Sequence, residues 1–141
     1  MQRNTMGILV LLAFAVVLAA ATVQAQTRLI ASVPFDFSLG QQSMAAGKYE
    51  VGYMSELVAV VRNADTGVSQ LLIRSEHVQA YRVQRAKLVF NKYGHQYFLS
   101  EIWDGNSNMG IYLPKSKREK EVSLAGNQSS ASSEMVIVAM N

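Results

Sequence analysis

The stretch AKLVFNKYGHQYFLSEIW, residues 86–103, decides the fold that this sequence predicts. Its two halves, 86–92 and 97–103, are rich in valine, isoleucine, leucine and aromatic residues, which favour β-strands. Gly94, His95 and Gln96 lie between them. A loop of three to five residues that contains glycine is typical of a β-hairpin with a bulge. We therefore expect an antiparallel hairpin here.

Strict alternation extends the β pattern toward the N-terminus. Between residues 29 and 39 every second residue is apolar, namely Leu29, Ala31, Val33, Phe35, Phe37 and Leu39. This period predicts a half-buried strand, and Pro34, which has no amide hydrogen to donate, places it at a sheet edge or at a bulge. Residues 48–54 alternate in the same way, with Tyr49, Val51 and Tyr53 on one face.

Further short apolar runs complete a mainly β pattern. Residues 57–62 and 68–74 flank the turn sequence 63–67, and residues 109–113 form another run. Tight turns between seven to eight short strands predict a small antiparallel meander, either a barrel or a sandwich.

The C-terminal part differs in its period. Ser116 and Glu119 form a Ser-x-x-Glu capping box, so we expect one short helix over about 116–125, ended by Gly126. A Ser-rich linker, 127–133, and a last strand over about 134–140 follow.

The first 25 residues have the three parts of a cleavable signal peptide. Arg3 supplies the positive charge, residues 6–21 form an uncharged apolar run, and Ala25 is the small residue before the cut. We expect cleavage between Ala25 and Gln26, which leaves one exported β domain, 26–141, in the periplasm or outside the cell. An uncleaved anchor is the alternative. The chain contains no cysteine, which excludes a lipidated cysteine and disulfides.

Charge and composition narrow the expected partners. Loss of Arg3 with the signal lowers the formal net charge from +3 to +2. This charge is too small to favour nucleic acid, and we expect no stable membrane insertion after cleavage. The sequence also lacks the ligand spacing of a metal site, so we expect neither metal nor cofactor.

Several motifs together resemble a known group of proteins. They are VPFDF at 33–37, AGKYEV at 46–51, KLVFNKYG at 87–94, YFL at 97–99, Trp103 and LPKSKRE at 113–119. In this order they are similar to a family of small, uncharacterised exported proteins common in Acidobacteria-like soil bacteria. The resemblance implies export and a bacterial envelope setting. It implies no catalytic residues, because the family has no assigned activity.

Five residues are the candidate ligand-binding residues: Tyr49, Tyr53, Tyr97, Glu101 and Trp103. Tyrosine and tryptophan combine an apolar ring with a polar tip, which suits sugar stacking and protein contacts. Cross-strand packing of aromatic residues produces the same pattern without a ligand.

Glu101 lies within an apolar run, and alternation puts it on one face with Tyr97, Leu99 and Trp103. An inward carboxylate would be a candidate for acid–base catalysis, whereas an outward one would pair with a lysine or arginine of a neighbouring strand.

The sequence favours a non-enzymatic binding or envelope-associated domain whose partner is another envelope protein or a polysaccharide. No Gly-x-Ser-x-Gly elbow is present, and we assign no catalytic residue. Three alternatives stay open. They are a barrel that holds a small ligand, a small periplasmic hydrolase or isomerase that uses Glu101 or His95, and an assembly subunit that uses the Pro34 edge strand or the last strand.

Overall fold

The computed structural model describes residues 28–55, 58–73, 76–79, 85–106, 109–128 and 133–141. The signal peptide and its cleavage site at Ala25 and Gln26 lie outside these residues, as does most of the Ser-rich linker. The strands are β1 (Arg28–Val33), β2 (Phe37–Leu39), β3 (Gln42–Met44), β4 (Gly47–Ser55), β5 (Val58–Asn63), β6 (Ser69–Ile73), β7 (Glu76–Gln79), β8 (Lys87–Tyr93), β9 (Gln96–Trp103), β10 (Met109–Tyr112) and β11 (Glu134–Ala139). One helix, α1 (Lys117–Gln128), precedes β11.

Two sheets form a sandwich-like arrangement, and they do not close into a barrel. The first sheet has four antiparallel strands in the order β1-β4-β5-β6. The second has seven strands, of which five follow the order β11-β8-β9-β10-β7, while β2 pairs with both β3 and β9. The mainly β fold class is therefore confirmed, and of the two predicted architectures the sandwich is the one observed.

The predicted strand 29–39 is divided between the two sheets. β1 belongs to the first sheet and β2 to the second, and the chain leaves the ladder at Pro34, which cannot donate a main-chain hydrogen bond. All six apolar residues of the alternating run nevertheless lie in the core or pack against it. Residues between the predicted strands 29–39 and 48–54 form β3, so the sheets have more strands than the sequence pattern indicates.

The core fills the space between the two sheets. The largest fully buried side chains come from both layers and include Tyr49 and Val51 of β4, Leu88 and Phe90 of β8, and Ile102 of β9. Aromatic rings meet edge to face in its centre, where the ring of Phe37 lies 5.1 Å from that of Tyr49 and 5.2 Å from that of Phe90. With no disulfide available, this packing provides the main stabilisation.

The predicted hairpin is confirmed as β8 and β9. Its loop is shorter than expected, because Tyr93 pairs with Gln96 and only Gly94 and His95 lie between the strands. Gly94 has a φ of 60°, a conformation that glycine adopts without strain.

The bulge of this hairpin lies further along β9, where the register shifts. Phe90 pairs with Leu99, whereas its neighbour Val89 pairs with Glu101, so Ser100 is the extra residue. The Ser100 hydroxyl donates a hydrogen bond to the Val89 carbonyl at 3.0 Å. An extra residue reverses the faces of everything beyond it, and Leu99 and Ile102 accordingly both join the core.

Helix α1 begins as the capping box predicts, since the Glu119 amide donates to the Ser116 hydroxyl oxygen at 3.1 Å. The Glu119 side chain is buried, and its Oε1 accepts a hydrogen bond from the side-chain Nδ2 of Asn91 at 2.9 Å. This bond connects the helix to β8. The helix continues through Gly126 to Gln128, so the expected end at Gly126 is wrong. Gly126 does not have the positive φ of a C-terminal glycine cap.

The C-terminal residues join the two sheets along one side. Met140 forms a bridge with Ala31 of β1, and its amide donates to the Ala86 carbonyl. Asn141 exchanges two main-chain hydrogen bonds with Ile30, at 2.9 and 3.0 Å. The free edge of β1 is thereby occupied by the chain itself.

The burial of Tyr49 can be tested by measuring how the stability of the protein changes at alkaline pH. Burial raises the pKa of its phenol above 10.0, an effect that Asp36 and Asp65 increase and a hydrogen bond with Asn63 opposes. Because this pKa is higher in the folded than in the unfolded state, the contribution of the neutral phenol to the free energy of unfolding is complete below pH 10. It is lost as the pH rises through the pKa of the folded state.

We expect Tyr49→Phe to lower the free energy of unfolding at pH 8 by about 1 kcal/mol, because the hydrogen bond to the Ala45 carbonyl is lost. Above pH 10 the variant should lose stability less steeply than the wild type. Urea denaturation between pH 8 and 11 measures both effects, and equal slopes for the two proteins would contradict this assignment.

Candidate functional site

The five candidate residues lie in separate places, and only Glu101 and Trp103 are brought together. Tyr49 is fully buried in the core, and its hydroxyl donates to the Ala45 carbonyl. Tyr53 is half-buried and packs against the same core. Tyr97 is half-buried and stacks on Phe35, with ring centroids 3.9 Å apart and planes inclined by 13°. The five residues therefore do not form one shared site.

Glu101 and Trp103 lie on the face of the second sheet that points away from the core. The prediction that they share a face with Leu99 is wrong, because the bulge at Ser100 separates them. Glu101 Oε2 accepts a hydrogen bond from Trp103 Nε1 at 2.8 Å. Glu101 thus has the outward position of the second alternative, but it is half-buried and its hydrogen-bond partner is an indole on its own strand instead of a lysine or arginine.

The Trp103 indole is held on both sides by neighbouring strands. Its ring is only 4% exposed, and Lys87 Nζ lies 5.8 Å from its centroid. On the other side Gly110 of β10 pairs with Trp103, and a Cβ atom at Gly110 would meet the ring at 2.8 Å. The tryptophan is thus a packing residue that offers little surface to a ligand.

A polar groove of about 160 Å³ contains His95, one of the two residues that the hydrolase hypothesis names, but Glu101 does not line it. Its lining includes Asp36, Ser38, Ser43, His95, Tyr97 and Arg118. Asp36 already has a structural role, because its Oδ1 accepts a hydrogen bond from the Ala46 amide at 2.7 Å. His95 is exposed at the tip of the hairpin, at the rim of this groove.

The outer face of the first sheet is a further surface, and Tyr53 is the one candidate residue that borders it. Met54, Leu71 and Ile73 are exposed by 66%, 54% and 69%, and Val58 and Val60 are half-buried beside them. We call these five residues the apolar patch. Leu72 lies in the core, so its neighbours Leu71 and Ile73 point to the opposite side of the sheet. Within the described residues, no element covers this patch.

A shallow cavity of about 220 Å³ lies next to the apolar patch. Gly52 forms its floor, because no atom lies within 4 Å of where a side chain would begin. Charged residues border it, namely Arg28, Glu50 and Arg62, which we call the charged rim. Arg28 Nη1 lies 3.4 Å from Glu50 Oε2. Arg62 lies opposite Glu50 in the register of β4 and β5.

Sequence reasoning missed this surface because the apolar runs 57–62 and 68–74 look like strands buried on both faces. The predicted two-layer sandwich could have indicated this surface. A two-layer sandwich leaves one face of each sheet toward solvent, so apolar residues on both sides of a strand require a cover.

The described part of the chain contains no cluster of three or more histidine, cysteine, aspartate or glutamate side chains that could hold a metal ion. Its helix is too short and too polar to cross a membrane.

Comparison with known proteins gives no match to a family model, a curated protein or a solved structure. The resemblance to exported soil-bacterial proteins stays a prediction.

The contact between Trp103 and Gly110 can be tested with a pair of glycine variants. Gly110→Ala places a methyl group against the indole, so we expect the free energy of unfolding to fall by about 1–3 kcal/mol. Gly52→Ala is the matched control, because its methyl group enters open space, and it should change stability by less than about 0.5 kcal/mol. Equal losses in urea denaturation would show that the indole is not tightly held.

Proposed function

We propose that this protein is an exported, non-enzymatic binding domain that contacts another envelope protein through the outer face of its first sheet. The observation that carries the proposal is the apolar patch beside the charged rim, which no described element covers. Contiguous exposed apolar residues bordered by polar ones are typical of protein–protein contact surfaces.

The patch is suited to a protein partner because its centre is aliphatic. Methionine, leucine, isoleucine and valine gain free energy when a partner removes them from water, by roughly 25 cal/mol per Å². The Gly52 cavity gives this face a recess into which a partner side chain can insert. The charged rim supplies directional contacts, which orient a partner more than they strengthen its binding.

A polysaccharide partner has less support from these contacts. Sugar stacking needs an exposed aromatic ring. Trp103 is 4% exposed, Tyr49 is buried, and one face of Tyr97 is occupied by Phe35. A small ligand inside a barrel also has less support, because side chains from both sheets fill the space between them.

Export can be tested on the chain itself. We expect mass spectrometry of the released protein to find Gln26 as its first residue, because Ala25 satisfies the small-residue requirement at the cut. Ala25→Glu should accumulate the uncleaved chain, since a large charged residue does not fit that position. Retention of residues 1–25 in the released wild-type protein would contradict this part of the proposal.

The binding face can be tested with two matched methionine variants. Met54 and Met135 are exposed by 66% and 63%, but Met54 lies in the apolar patch and Met135 on β11 of the second sheet. We expect Met54→Asp to weaken binding at least about tenfold, because the complex would bury an unpaired carboxylate. Cross-linking followed by pull-down from an envelope fraction would compare the partners retained by the variants and the wild type.

The Met135→Asp control should retain the wild-type partner. Because both methionines are largely exposed, neither change should affect folding, which circular dichroism and urea denaturation would verify. The proposal is contradicted if Met54→Asp retains every partner of the wild type, or if the two variants lose the same partners.

A further inference from the structure

The outer edge of β6 is a second surface of the first sheet that no described strand pairs with. Among the described residues, β6 pairs only with β5. End strands expose unpaired main-chain groups, and proteins usually protect them with a charged residue, a proline or a bulge. The sequence of β6, SQLLI, has no charge and no proline, and its register with β5 is unbroken.

The hydrogen-bond pattern shows which groups point to this edge. The Asn63 amide donates to the Val68 carbonyl at 2.8 Å, in the turn between β5 and β6. Bonded and non-bonded pairs alternate along an antiparallel ladder, so Gln70 and Leu72 are the next residues that exchange bonds with β5. The main-chain groups of three residues therefore point away from the sheet: Ser69, Leu71 and Ile73.

The two edge strands of the first sheet, β1 and β6, differ in their main-chain hydrogen bonds. At the opposite edge, Ile30 of β1 exchanges two main-chain hydrogen bonds with Asn141. No described segment covers β6 in this way. The open edge is also continuous with the apolar patch, because Leu71 and Ile73 belong to both.

We propose that two copies of this chain pair through β6 in an antiparallel arrangement, with a two-fold axis at Leu71. Leu71 lies opposite its equivalent in the second copy, and Ser69 lies opposite Ile73, so that all outward main-chain groups of β6 find partners. A second copy fits this edge because a two-fold axis brings identical strands together, and an uncharged strand sets no like charges against each other. The two four-stranded sheets become one continuous sheet with adjoining apolar patches.

Analytical ultracentrifugation of the protein purified after expression of the full chain tests this pairing. We expect the wild type to dimerise as its concentration rises, and Leu71→Lys to weaken dimerisation at least about tenfold, because the axis places two lysines face to face. Leu71 is 54% exposed, so the variant should fold. Met54→Asp is the control, because it changes the same face on β4, two strands from the edge, and should still dimerise.

A charge exchange tests the axis directly. Leu71→Glu alone should also be monomeric, whereas an equal mixture of the L71K and L71E chains should form a mixed dimer, since opposite charges then meet at the axis. A wild type that stays monomeric at every concentration would overturn the proposal, as would a mixture that stays monomeric. Loss of the dimer by Met54→Asp instead of by Leu71→Lys would also overturn it. Because Met54→Asp is expected to lose the envelope partner but keep the dimer, the two proposals can fail independently.

Discussion

The arrangement of the second sheet depends on one extra residue, Ser100, in its longest hairpin. Before the bulge Leu99 points into the core, and after it Ile102 does so. The reversal sends Glu101 and Trp103 to the outer side, where the indole packs on Gly110. The Leu113 amide also donates to the Ser100 carbonyl at 2.8 Å, so the same residue anchors the segment that leads into α1.

Much of the fold could be predicted because alternation and turn chemistry act locally. The inward residues of β1, β2 and β4 follow from period two, and the predicted turn 63–67 ends with Gly67 at a φ of 74°. The division of residues 29–39 could not be predicted. Pro34 indicates an interruption, but the sheet that each part joins is decided by distant pairing with β4 and β9.

The candidate residues lie apart for a related reason. The polar tips of tyrosine and tryptophan can serve a ligand or the protein itself, and here Tyr49 and Trp103 bond to the Ala45 carbonyl and to Glu101. Sequence pattern does not distinguish these uses, because both need an aromatic residue on a strand. A single bulge also reverses the faces that alternation assigns to the residues beyond it. The bulge at Ser100 contains no glycine, so the sequence gives no sign of it.

The two outer faces of the sandwich differ in how far their apolar residues are covered. On the second sheet, α1 brings the buried Glu119 to Asn91, and Val89 and Phe98 of that face are buried. On the first sheet, Leu71 and Ile73 occupy equivalent outward positions and stay in water. They add little to the core, and exposed apolar groups on an unprotected edge strand favour association. Packing among the described residues accounts for Leu72 but not for the apolar character of its two neighbours, which the proposed contacts with a partner or a second copy would explain.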